Sequence, residues 1–438
     1  MKHRRSTHTA AILTVTMLLL TGCNGETATR ESSSGPVTLT YWCAQNPQER
    51  ALAVKLVDEW NAAHPDVQVN VQALPAGQTS EEVLMAAIVA GTTPDLCSNI
   101  WPGIVPDFVR AGGVQALSDF PDFDSLLTAR MPESSRDVFR ALDGKYYQIP
   151  WKTNPIMLLY NKRIFREVGL EEPPATYSAF LDAAERISRD ADGDGRPDRW
   201  IGYRDLRPIW QQRRFDFFAM YVGVSEGDTF FEGEELAIDP AVAANVFGFF
   251  RDLYQNNYFP HTTFAGSPIM TQRIASEFVG PWQIAWLEEN APPDFEFDFV
   301  PLPKPDDFEG ENYTFGDYKN IVIFSSTEHP EEAWEFAKTL VSKQADLDLL
   351  EGTRQIPVRS GLLTDSTYTD FFRRNPKVVP FAEAAPFSRG VDAVGSIQEI
   401  LDAIALQFEA AAVYGTATPE EATEKALERI QLIIEWNR

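Results

Sequence analysis

Positive charge is scarce in this 438-residue chain: 38 lysines and arginines stand against 64 aspartates and glutamates, a formal charge of −26. Such a surface repels phosphate backbones, which excludes nucleic acid as an expected partner. Beyond that, strong acidity speaks to solubility and says little about a ligand. Histidine numbers five, and His64, His261 and His329, the three beyond residue 22, have no metal-ligand spacing. Cysteine numbers three, with no pair spaced as in a zinc site. There is no Walker loop and no G-x-G-x-x-G opening a helix after a strand. No segment beyond residue 22 is apolar for the roughly 20 residues that a spanning helix needs.

The early apolar run, Ala10 to Leu20, is interrupted by Thr14 and Thr16 and preceded by Lys2, Arg4 and Arg5. It is too short to cross a bilayer and has the flanks of a secretory signal peptide. It ends in Leu20-Thr21-Gly22-Cys23, which resembles the bacterial lipobox, with Cys23 the residue that is acylated. Residues 1–22 are therefore expected to be a lipoprotein signal peptide, and their removal takes the charge from −26 to −29. Residues 23–36 are polar and suit a flexible tether. The expected location is extracytoplasmic, in a bacterial cell envelope, with the membrane touched only through the N-terminal lipid. In that oxidising setting Cys43 and Cys97 are candidates for a disulfide, although two buried free thiols fit the sequence as well.

From Pro36 the pattern alternates strand and helix. Val37 to Trp42 is β-rich, and Asn46-Pro47-Gln48-Glu49 combines an N-cap, a first-turn proline and an acid at the third position. Leu52, Leu56 and Trp60 then recur at helical spacing, Val67 to Val71 alternates as a strand, Ser80 opens a helix closed by Gly91, and Pro94 to Cys97 starts a third strand. Three strands linked by helices predict a parallel α/β sheet, and ligands of such sheets sit at the carboxyl ends of the strands. Helices are also predicted for 177–188, 210–222, 240–254, 331–341 and 419–436, with a buried strand at Ile321 to Phe324. A chain of this size and aromatic content (10 Trp, 13 Tyr, 29 Phe) supports two lobes.

Several stretches, taken in order, are similar to bacterial extracellular solute-binding proteins of sugar ABC importers, the group typified by maltose-binding protein. They are Gly91-Thr92-Thr93-Pro94-Asp95-Leu96, Asp143 to Pro150 followed by Leu159-Tyr160-Asn161-Lys162, Pro173-Pro174-Ala175-Thr176-Tyr177, and Phe278-Val279-Gly280-Pro281-Trp282. The resemblance covers nearly all of the chain beyond the tether. It implies a two-lobed α/β periplasmic-binding-protein fold (type II), each lobe a mostly parallel sheet flanked by helices, with the ligand cleft between them. The expected lobes are 37–152 with 312–353, and 153–311 with 354–438. It also implies a monomer that closes on a sugar or oligosaccharide and delivers it to ABC importer permease subunits, with no covalent chemistry.

A sugar presents apolar C–H faces and a rim of hydroxyls, so it needs aromatic platforms beside directional polar groups. Trp282 is the favoured platform by resemblance. Trp42, Gln45 and Glu49 follow the first strand; Glu49 is also explained as a helix cap. Trp101, Tyr147, Trp151 and Lys152 lie at a strand end or the crossing between lobes, Asp317 precedes the buried strand, and Arg354 flanks the later recrossing. Asp95 reads as structural more readily than as a ligand contact, and Arg354 is also explained as a partner of surface acids. Separately, Asp190, Asp192, Asp194, Arg196 (by its carbonyl) and Asp198 are spaced as in an EF-hand loop, a candidate structural Ca²⁺ site. Ile201 stands where the bidentate glutamate belongs.

Two enzyme readings compete. Gly223-Val224-Ser225-Glu226-Gly227 fits a nucleophile elbow, which requires a strand before it and a helix after it; the sequence supplies a helix before and an acidic loop after. A glycosidase needs only two carboxylates, which any acidic chain contains. The resemblance outweighs both, and its remaining alternative is a binding protein that presents its ligand to a membrane signalling receptor.

Overall fold

The chain enters the fold through β1 (Val37–Cys43), β2 (Val67–Ala73), β3 (Leu96–Ile100) and β4 (Ile149–Thr153). It continues through β5 (Met157–Asn161), a small hairpin of β6 (Phe231–Glu232) and β7 (Glu235–Leu236), then β8 (Ser276–Val279) and β9 (Phe297–Val300). The last strands are β10 (Thr314–Phe315), β11 (Lys319–Ile323), β12 (Ile356–Pro357) and β13 (Ser388–Arg389). This computed structural model describes residues 35–437 apart from 77, 78, 191, 192 and 194–196.

Six strands form one sheet in the order β12-β4-β11-β3-β1-β2. β1 runs parallel to β2 and β3, as the βαβ spacing predicts. The returning β11 is antiparallel to β3 and β4, and β12 is antiparallel to β4. The second sheet, β8-β5-β9, is antiparallel throughout. The α/β class stands, then, but parallel pairing is confined to β1 with β2 and β3 and to the short pair β10 and β13. Strands that return from a distant part of the chain need no right-handed crossover, so helical spacing could not reveal their direction. Ile356 and Pro357 still pair with Thr153 and Lys152 of the first sheet.

Local chemistry explains the helices. Asn46 accepts from the Glu49 backbone N–H at 2.9 Å and Pro47 takes the first position of the helix Pro47–Ala63, whose Leu52, Leu56 and Trp60 are buried. The helix Ser80–Ala90 ends where Gly91 adopts φ +66°, a left-handed cap open to glycine at no steric cost. The helices Tyr177–Ile187, Pro240–Gln255, Pro330–Leu340 and Pro419–Asn437 lie within two residues of expectation. The predicted helix at 210–222 is interrupted: α-helical turns at Trp210–Arg213 and Ala219–Val224 flank a π-turn over Arg214–Phe218.

The first sheet separates two apolar layers. Tyr41, Cys43 and Leu96 face one layer with Leu56, Trp60 and Trp151; Cys97 faces the other with Trp101 and Phe108. β5 is buried on both faces, with Leu158 and Tyr160 on one side and Met157 and Leu159 on the other. The register sets Trp42 beside Cys97, so Cys43, one residue on, points to the opposite face. Both thiols are free and buried, and the disulfide considered from sequence is not made.

Cys23 lies outside the described residues, as do Asp192, Asp194 and Arg196 of the acidic loop. In the described part of that loop, Asp190 Oδ1 accepts from Gly193 N at 2.7 Å and Asp198 N donates to Arg189 O at 2.7 Å. Ile201, at the twelfth loop position, is fully buried in the core. No metal-holding cluster occurs among the described residues, and no helix among them is long and apolar enough to cross a membrane.

Candidate functional site

The carboxyl ends of β1 and β3 open into a cavity of about 400 Å³. Gln45 sits at its rim, donating through Nε2 to the carbonyls of Leu74 (2.9 Å) and Pro75 (3.2 Å) just after β2. Asn99 projects from β3 with φ +64°, a conformation asparagine tolerates better than most side chains, and its buried Oδ1 has no partner among the described residues. The opposite wall comes from far along the chain: Gln211 and Arg214 from the interrupted helix, and Lys319 from β11. Backbone strain and π-turns recur at functional sites because surrounding structure must hold them in place.

Beside the cavity, Trp101 is 2% exposed and stacks on Trp210 with ring centroids 4.8 Å apart. The Arg214 guanidinium lies 4.8 Å from each ring. Trp101 Nε1 and Arg214 Nε and Nη1 are buried and have no hydrogen-bond partner among the described residues. Native interiors leave few donors in that condition, and each such group calls for a structural or functional explanation.

A chain of charges runs behind this wall. Glu49 and Lys152 form a buried ion pair at 2.6 Å, and Gln355 Nε2 donates to Glu49 Oε1 at 2.9 Å. Burial alone would raise the Glu49 pKa, but the Lys152 ammonium and the Gln355 bond hold the carboxyl below its usual range. Lys319, paired across β11 and β4 with Lys152, donates to Asp317 Oδ1 at 2.6 Å. Arg214 Nη1 is 3.9 Å from the same oxygen.

The structure thus gathers Gln45, Glu49, Trp101, Lys152 and Asp317 at or behind the cavity, with half-buried Trp42 on the Cys97 face of the sheet. Glu49 and Lys152 neutralise one another instead of lining it. Trp282 opens the helix Trp282–Asn290 and packs edge-on to Phe215 at 6.1 Å, one residue from Arg214. A Cβ at Gly280 would lie 2.1 Å from its ring, so glycine is required in that turn.

Four expected contacts lie elsewhere. Asp95 precedes β3 at its amino end, where it accepts from Thr40 N (2.7 Å), Thr40 Oγ1 (2.9 Å) and Thr327 Oγ1 (2.6 Å). Tyr147 donates to Asp143 Oδ2 at 2.6 Å beside a different hollow. Trp151 turns into the apolar layer because alternation along β4 sends Lys152 the other way. Arg354 caps a helix at φ +60° and pairs with the surface acid Glu288 at 3.0 Å. Sequence reasoning missed Asn99, Trp210, Gln211, Arg214 and Lys319. The run Trp210-Gln211-Gln212-Arg213-Arg214 carries an arginine pair beside an aromatic, a signal passed over because the segment read simply as helix.

The G-x-S-x-G segment ends a helix, and Ser225 Oγ donates to Asp228 O at 2.8 Å in a turn, which is not a nucleophile elbow. A larger groove of about 1010 Å³ lies between the helices Tyr177–Ile187, Pro240–Gln255 and Pro419–Asn437. It is away from the strand ends where the unpartnered polar groups converge, so size does not decide the site.

Comparison with known proteins bears on the fold and the family. A maltotriose-binding protein of Pyrococcus abyssi is 26% identical over 401 residues, covering 86% of this chain and 79% of the relative. An arabinooligosaccharide-binding protein of Halalkalibacterium halodurans is 24% identical over 328 residues, covering 71% and 69%. The crystal structure of a cyclic alpha-maltosyl-1,6-maltose binding protein from Arthrobacter globiformis superposes with a TM-score of 0.76 at 21% identity, over 91% of this chain and 99% of that one. An uncharacterized protein from Listeria monocytogenes superposes at 0.78 and 24% identity, over 91% and 100%. These structures share the fold, and the family model for bacterial extracellular solute-binding proteins matches residues 55–379. The chain belongs to the bacterial extracellular solute-binding protein family.

Proposed function

We propose that this chain captures a sugar or oligosaccharide outside the cytoplasm and hands it to the permease subunits of an ABC importer. The observation that carries the reading is the strand-end cavity, where Arg214 and Trp101 keep buried donors free beside stacked indoles while Asn99 keeps a free acceptor. Its volume lies in the range of small-molecule sites, roughly 300–1,000 Å³. Maltotriose and arabinooligosaccharide binding by relatives supports the same substrate class.

In this reading the chain acts as a monomer in two lobes, 37–152 with 312–353 and 153–311 with 354–438. The pairing of β12 with β4 argues for moving the last boundary beyond Pro357. Solute shifts an open–closed equilibrium by binding the closed form more tightly. Nothing covalent happens to the solute, so the protein is a carrier and not an enzyme. Cys23 carries the lipid that holds it to the envelope, and the acidic loop at Asp190–Asp198 binds Ca²⁺ weakly at most, since Ile201 is committed to the core.

The test is a thermal-shift and calorimetry screen of residues 37–438 against mono- and oligosaccharides, amino acids and peptides, with calcium or chelator. A solute at a hundred times its Kd adds about 2.7 kcal/mol of stability. A shift with a sugar, lost in Trp101→Ala, is the expected result. A shift with amino acids or peptides and none with any sugar would sink the proposal.

A further inference from the structure

We infer that the captured sugar is anionic, a carboxylate-bearing saccharide such as a uronate oligomer whose acid group faces Arg214; this rests on the sugar reading above. Three cations lie at the cavity and behind it: Lys152, with its side chain 1% exposed, Arg214 at 8% and the half-buried Lys319 at 16%. Two buried acids answer them. Glu49 is committed to Lys152 at 2.6 Å and Asp317 to Lys319 at 2.6 Å. That leaves Arg214 with a share of Asp317 at 3.9 Å and no hydrogen-bond partner for Nε or Nη1 among the described residues. Counting these five side chains alone, positive charge exceeds negative by one.

A buried charge whose ion pair is long and shared is costly to hold, and proteins normally answer such a charge with a closer counter-ion and hydrogen bonds. The faces of Trp101 and Trp210 hold the guanidinium by cation–π attraction but leave its net charge unchanged. Glu81, on the cavity wall, is the other acid acting on Arg214; it is partly exposed and makes no ion pair with it. A neutral sugar would offer hydroxyl acceptors without charge. A carboxylate offers both, in the planar form that a guanidinium matches best.

The experiment measures calorimetric affinity of the chain for di- and trigalacturonate against the matching neutral galacto-oligosaccharides, at low and high salt. The expected result is acidic sugar bound about tenfold tighter or more, the scale of one charge-assisted hydrogen bond. Salt should weaken the acidic sugar selectively, and Arg214→Gln should weaken the acidic sugar at least about tenfold more than it weakens the neutral one. Should Arg214→Gln not fold, the salt comparison on the unaltered chain carries the test alone. Neutral sugars bound as tightly as acidic ones, or more tightly, would overturn the anionic inference and leave sugar capture standing. Binding of neither class would overturn the anionic inference for this series, and sugar capture falls only if the wider saccharide panel above also fails.

Discussion

Replacing Lys152 by methionine strands Glu49, whose only ion pair among the described residues is the 2.6 Å contact with Lys152. The two side chains are 1% and 7% exposed, so solvent cannot take over the lost interaction. An exposed pair would contribute about 0–1 kcal/mol, whereas removing one partner of a buried pair costs about 3–5 kcal/mol because the other charge remains. We therefore expect Lys152→Met and Glu49→Gln each to lose about 3–5 kcal/mol. The double variant should lose much less than the sum, since no buried charge is left alone. Urea unfolding followed by tryptophan fluorescence reads this as midpoint shifts at constant slope. The pH dependence has a defined sign. Glu49 is held below its usual range, so the pair's contribution is present above the unfolded-state pKa of about 4.3 and is lost as pH falls through the folded value. The gap between Lys152→Met and the parent should accordingly narrow in acid. Single losses under about 1 kcal/mol, or strict additivity in the double variant, would refute the reasoning.

Two further outcomes are expected. Asp392 accepts from Thr229 Oγ1 (2.5 Å), Phe230 N (3.0 Å) and Phe231 N (3.3 Å), but burial outweighs those bonds and pushes its pKa up to about 6. Between pH about 4 and 6 the folded chain keeps a proton that the unfolded chain releases, so this group's contribution declines as pH rises, by up to about 3 kcal/mol. Asp392→Asn should remove that slope from a stability–pH series, and an unchanged slope would count against it. Reductant should leave the melting temperature of residues 37–438 unchanged, because Cys43 and Cys97 are free; a fall of several degrees would reveal a bond between them.

Much of the fold was legible because its signals are local. The Asn46-Pro47 cap, the Gly91 stop and the period-2 alternation of Val67 to Val71 each depend on a few neighbouring residues, and each element lies where it was expected. The sense of β8, β9, β11 and β12 was not legible, since pairing between distant segments leaves no local period. Site prediction followed the same divide. Strand-end reasoning singled out Gln45 and Trp101, which lie at and beside the cavity, but it could not tell which side chains of β4 face the core, and so offered Trp151 beside Lys152. Arg214 was hidden because its position depends on a π-turn, which adds one residue to a turn without a compositional mark. Arg354 and Asp95 had each been weighed against a plainer role, and the plainer role is what their hydrogen bonds and ion pairs describe.

The two unbonded cysteines have one more consequence. Both border the strand-end cavity at 2% and 1% exposure, Cys97 from the face shared with Trp101 and Cys43 from the opposite one, and burial raises the pKa of both thiols. A maleimide or disulfide reagent can then react only during excursions that admit both water and the probe. The molecule carries a built-in clock: its alkylation rate counts cavity openings, and an occupant that keeps the chamber shut slows the count without any label having been engineered.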